Sequence, residues 1–133
     1  MSAERAKRVR NVLAIASVAE AVTGVVAVVD PSFVARLLLG TGLSGAGAQI
    51  GRCFGMAALT VGLACWPGPV GVGSLAAPRR GMLFYNLAIG AYLAVLGAAG
   101  QAAGFLLWPA VAYHALVALV LAARWRDGGQ VHA

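Results

Sequence analysis

Four stretches of the chain, residues 11–29, 46–66, 81–100 and 105–123, are each about twenty residues long and almost free of charge. An α-helix needs about 20 apolar residues to cross a ~30 Å hydrocarbon core. None of the four alternates with the period of two expected of a barrel strand, so they read as helices. In 133 residues they leave room for little else. The pattern predicts an all-α, four-transmembrane-helix bundle forming a single integral membrane domain over residues 1–133. Composition agrees, with 61% hydrophobic residues and only 11% charged. A soluble domain carries roughly 25% charged residues because its surface must be solvated. That excludes a soluble enzyme and a disordered tail.

The charges that remain are distributed unevenly. Arg5, Lys7, Arg8 and Arg10 precede the first span, Arg79 and Arg80 precede the third, and Arg124 and Arg126 follow the fourth. With four spans these regions share one side, which holds eight of the ten Lys and Arg residues. Arg36 alone lies on the other, and Arg52 lies inside a span. The positive-inside rule then predicts cytoplasmic N- and C-termini in a multi-pass protein of the cytoplasmic (inner) membrane. The net charge of +6 thus suits anionic headgroups of the lipid bilayer. Nucleic acid is not an expected partner, because no basic face is interleaved with stacking aromatics. The first span is also too long for the apolar run of a signal peptide, contains Glu20 and leads into Asp30-Pro31, so it is read as retained.

Between the first two spans, residues 31–39 predict a short interfacial helix. Asp30 suits its N-cap, Pro31 its first turn and Gly40 the residue after its end. Phe33, Val34, Leu37 and Leu38 fall on one face, with Ser32 and Arg36 nearer the other. The stretch Pro67 to Pro78 is rich in Gly and Pro and reads as a flexible cytoplasmic loop. The connection near Gln101 has no charge and must be tight. No internal repeat suggests an inverted-repeat transporter.

Several motifs have simpler readings than their patterns suggest. Gly40-Thr41-Gly42-Leu43-Ser44-Gly45 matches the G-x-G-x-x-G dinucleotide pattern, but that pattern has meaning only between a strand and a helix. Here it is a link into the second span, and no cofactor is expected. Gly47, Gly51 and Gly55 make a small-residue ridge, continued by Ala58 and Gly62, of the kind that lets helix backbones approach closely in lipid. The ridge packs either within the chain or against a homodimer partner. Cys53 and Cys65 lie twelve residues apart on one helix, about 18 Å at 1.5 Å per residue. That distance is too far for a disulfide, so both read as small buried hydrophobes.

The polar residues inside the spans, Glu20, Arg52, Asn86 and His114, carry the functional information. An ionisable group in the bilayer core costs on the order of 2.5–3.5 kcal/mol, so it generally faces the bundle interior, pairs, or lines a wet cavity. Glu20 and His114 are expected at about the same depth near the midplane. Glu20 can accept from His114 or Arg52, with Tyr85, Tyr92 or Tyr113 supplying hydroxyls. Arg52 can alternatively extend to the outer headgroups. Two roles stay open for Glu20: a protonated packing carboxyl, or a site for a proton or substrate. The other histidine, His132, lies in the tail, so a bis-histidine haem within one chain fails. No Cys, His and carboxylate cluster has metal-ligand spacing, no metal is expected, and no convergent set marks a catalytic centre.

Four spans in a short chain, the exit from helix one between Gly24 and Asp30-Pro31, and Gly51-Arg52-Cys53-Phe54-Gly55 together resemble the DoxX-like group of small membrane proteins. The stretch Leu107-Trp108-Pro109-Ala110-Val111-Ala112-Tyr113-His114 adds to that resemblance. It implies an accessory or interaction protein, a subunit of a membrane redox system, without catalysis of its own but with a membrane protein partner. The chain lacks the cysteine pair that thiol chemistry would need. Ala19-Glu20 in helix one is also similar to the membrane-embedded glutamate of small multidrug-resistance transporters, which implies a proton-coupled exporter using Glu20. Arg52, the basic N-terminal segment and the absence of an aromatic cluster facing Glu20 from helix three depart from that family.

Overall fold

A computed structural model of the chain describes residues 3–69 and 74–123, and every regular element in that part is helical. The order is α1 Ala3–Val29, α2 Pro31–Leu39, α3 Gly45–Ala64, α4 Ala76–Ala98 and α5 Leu107–Ala122. Part of the Gly/Pro-rich loop, the basic residues Arg124 and Arg126, and His132 lie outside the described residues.

Four crossing helices are expected, and two of the helices are long and apolar enough to cross a membrane. These are α1, over Ala6–Val29, and α4, over Ala76–Ala98. α3 has 20 residues, but Gln49, Arg52 and its glycines dilute its apolar character. α5 begins only at Leu107, because Phe105 and Leu106 belong to the preceding turn, and its 16 residues extend about 24 Å. All four long helices nevertheless turn large apolar side chains outward. Ile15, Val18 and Val29 on α1, Met56 and Leu63 on α3, Phe84 and Val95 on α4, and Leu116 and Leu119 on α5 are exposed.

α1 and α3 run antiparallel with their backbones nearly touching. A Cβ placed on Gly55 would stand 2.7 Å from Val28 N and 2.8 Å from the Gly24 carbonyl oxygen. One on Gly62 would stand 2.7 Å from both Ala21 N and the Ser17 carbonyl oxygen. Such spacing is open only to glycine, and it gives dispersion contact along the whole seam. α4 and α5 form a second antiparallel pair, closest where Gly90 faces His114 and Gly97 faces Trp108.

α2 lies across one end of the bundle. Asp30 caps it by accepting from Phe33 N at 2.9 Å, and Gly40 ends it in the left-handed region at φ 81°. The last carbonyls of a helix have no partner within the helix. Here the α4–α5 connection supplies them: Ala103 N donates to Leu39 O, Gly104 N to Leu38 O and Leu106 N to Leu37 O, the last at 2.8 Å. Ser32 Oγ fastens the other side, accepting from Leu43 N at 2.9 Å and donating to Leu43 O. The residues α2 buries are Pro31 and Ala35, while Phe33 is exposed. The apolar face expected from the sequence, Phe33, Val34, Leu37 and Leu38, borders the space between the helix pairs, and Arg36 is exposed.

Two apolar clusters bracket the bundle. Val9, Leu13, Met82, Val117 and Leu121 form one with Cys65. Leu93, Ala102 and Leu107, with Leu39 and Leu96 against them, form the other near α2. Between them lie the buried polar residues Glu20, Asn86 and His114.

Candidate functional site

The polar layer is assembled from three helices. α1 contributes Glu20, which is 3% exposed. α4 contributes Tyr85 and Asn86, and α5 contributes Tyr113 and His114. The Tyr85 hydroxyl lies within hydrogen-bonding reach of the Glu20 carboxyl, and Tyr113 stands close by.

Asn86 and His114 form a directed chain of hydrogen bonds. Asn86 is completely buried, and its Nδ2 donates to Met82 O one turn earlier at 2.8 Å. That bond fixes the amide orientation and leaves Oδ1 facing α5, where it lies 2.9 Å from His114 Nδ1. A carbonyl oxygen can only accept, so Nδ1 carries a proton. Gly90 allows the approach, since a Cβ there would meet His114 Cβ at 2.9 Å. Two tyrosine rings hold the imidazole edge-on, Tyr113 at 5.2 Å and Tyr85 at 6.1 Å between ring centres.

Glu20, Tyr85, Tyr113 and His114 border a cavity of about 800 Å³ between the α1–α3 and α4–α5 pairs, with α2 across its end. That volume falls in the range of drug-sized ligand sites. Its walls are almost wholly apolar, supplied by residues such as Val26, Ile89, Leu96 and Ala110. Among the described residues Glu20 is the one acidic residue lining it, and no Lys or Arg does. Polar groups therefore gather at one part of an otherwise greasy chamber. The Tyr113 hydroxyl and Ser17 Oγ are buried and bond no described group.

The arrangement keeps one of the expected pairings and departs from others. His114 bonds Asn86 and not Glu20, while of the expected hydroxyls that of Tyr85 lies within reach of Glu20. Arg52 is half-buried on α3, with no described carboxylate within salt-bridge distance. In the antiparallel α1–α3 register Gly55 faces Gly24 and Gly62 faces Ser17. Gly51, beside Arg52, meets Pro31, so Arg52 sits toward the α2 end of the seam, away from Glu20. An exposed ion pair joins Arg36 Nη2 to Asp30 Oδ2 at 3.6 Å.

Of the small-residue ridge, Gly55 meets α1 and Gly51 meets Pro31, both within the chain. Gly47 faces only Leu43, at an ordinary 3.7 Å. Cys65 is buried as expected, but Cys53 is exposed. Among the described residues no group of three or more His, Cys, Asp or Glu could hold a metal ion.

The Asn86–His114 bond is the feature that sequence reading missed, and a signal for it exists. The two residues lie 28 apart, centred on Gly100 in the tight turn. Residues equidistant from such a turn face one another in a helical hairpin. Searches of protein-family models, curated proteins and solved structures find no match to this chain.

Proposed function

We propose that the chain is an integral protein of the cytoplasmic membrane, crossing it four times with both termini inside. It acts as an accessory or interaction protein of the DoxX-like kind, and its part is to hold a lipophilic small molecule in the central cavity. The cavity is the observation that carries this reading. An apolar chamber of about 800 Å³ with Glu20, Tyr85 and His114 at one place suits a ligand with a long apolar body and a small polar head. The outward apolar side chains of α3 and α5 favour lipid on those helices as well as on α1 and α4.

The test is native mass spectrometry of protein purified from membranes in mild detergent. The wild type should carry a bound lipophilic species that is lost in Ala110→Phe, which puts a ring into the chamber from its α5 wall. Equal release of adventitious lipid from both proteins would contradict the reading.

The exporter is a second reading, favoured by one observation: Glu20 itself lines the cavity. An exporter needs that carboxyl to exchange a proton for a cation. Tetraphenylphosphonium added to concentrated wild-type protein would then release protons, and Glu20→Gln would abolish the release. No release from either protein leaves Glu20 a packing residue.

A further inference from the structure

We propose that the cavity reads its ligand through the Nε2 lone pair of His114, so that the ligand is a lipophilic molecule whose head donates a hydrogen bond, an alcohol or an amine. This rests on the ligand-holding role given above and adds the chemistry of the head group.

The argument runs along the hydrogen-bond chain. Met82 O orients the Asn86 amide, and the amide oxygen requires a proton on His114 Nδ1. A neutral imidazole with its proton on Nδ1 has an acceptor at Nε2. Asn86 is thus a positioning residue that sets the tautomer of its neighbour.

No described protein group supplies a donor to Nε2. The Tyr85 hydroxyl lies toward Glu20, and the Tyr113 hydroxyl, though adjacent in the chain, bonds no described group. His114 is 7% exposed and borders the cavity, so an acceptor at the edge of an apolar chamber is left to whatever enters it. An acceptor left without a partner in an apolar chamber gives a donor-bearing ligand an advantage over one that cannot donate. The absence of Lys and Arg from the lining disfavours a carboxylate or phosphate head.

The experiment is nitrogen NMR of full-length protein labelled with 15N-histidine in detergent micelles, with His132→Gln leaving His114 as the single signal source. Without ligand, Nδ1 should appear protonated and Nε2 unprotonated. The probes are 1-dodecanol and dodecylamine, which can donate, against dodecyl methyl ether and dodecyltrimethylammonium, which cannot. A saturable shift of the Nε2 signal with either donor supports the proposal, and the arm that responds identifies the head as hydroxyl or amine. Non-donors should bind roughly threefold to tenfold more weakly, the worth of one hydrogen bond. In Asn86→Leu the two tautomers should exchange and the donor should lose a similar factor.

Equal shifts with the ether or the trimethylammonium would overturn the proposal, as would a protonated Nε2 in the free protein. The probe comparison needs only His132→Gln, so failure of the Asn86 variant to fold leaves it intact. If a native ligand is retained and lost in Ala110→Phe but Nε2 is indifferent to donors, the inference falls and the ligand-holding role stands. If neither occurs, both fall.

Discussion

The seam between α1 and α3 and the space between that pair and the α4–α5 pair are built from opposite materials. Along the seam, Gly24, Gly55 and Gly62 bring backbone against backbone and leave no space for a side chain. Across the gap the helices stand apart, and the buried polar side chains Glu20 and His114 border a cavity of about 800 Å³, with Asn86 behind His114. In an apolar surrounding, close packing supplies stability without specificity, whereas a polar group needs a partner and so imposes geometry. The seam thus makes α1–α3 a stiff wall, and the gap holds the groups able to recognise something.

Substitution of the glycines should give the largest effects and tests whether the seam is as tight as described. Gly55→Leu would drive a side chain into the α1 backbone and should lower stability by about 3 kcal/mol or prevent folding. Gly51→Leu meets Pro31 Cβ at 2.7 Å and the Leu43 side chain, so it should displace α2 and cost about 1–2 kcal/mol. Gly47→Leu has only an ordinary contact and should change stability by less than about 0.5 kcal/mol. Thermal melts in one detergent would rank the three, and an equal loss at all three would break the comparison.

Within the gap, Asn86→Leu and His114→Leu should each cost about 1–2 kcal/mol, because each leaves the other's polar group buried and unpaired. The double variant should cost less than the two losses added, with a coupling of about 0.6–1.7 kcal/mol for a bond between membrane helices. Strict additivity in the same melts would mean that the two side chains do not interact. Smaller still is the effect expected of Glu20→Gln, which keeps shape and hydrogen-bonding capacity toward Tyr85. Its melting point should move by the equivalent of less than about 0.5 kcal/mol, while any proton-coupled cation binding would disappear.

Local structure was the more legible part of the chain. Asp30, Pro31 and Gly40 mark the ends of α2 through capping chemistry contained in the residues themselves, and the helix occupies 31–39. The polar residues were identifiable because charge and amide groups are rare in so apolar a sequence, but their partners were not. Pairing depends on the register of one helix against another, which glycine contacts set along α1–α3 and a short turn sets along α4–α5. By residue type Arg52 can pair with Glu20 or extend to headgroups, and the register puts it toward the α2 end of the seam, where Gly51 meets Pro31. The cavity could not be read from sequence, since it is a space left between two helix pairs and not a property of either. Cys53 shows the same limit, because which face of α3 looks outward follows from where Gly51, Gly55 and Gly62 must go.

The placement of all of this in a membrane is the claim on which the rest stands, and alkaline phosphatase fusions test it most directly. With four crossings and the N-terminus inside, fusions after Gly42 and Gln101 should be active and those after Gly68 and Ala133 inactive. If α1 and α4 alone cross, the fusion after Gly68 would be active and that after Gln101 inactive, and the four-crossing account would be contradicted.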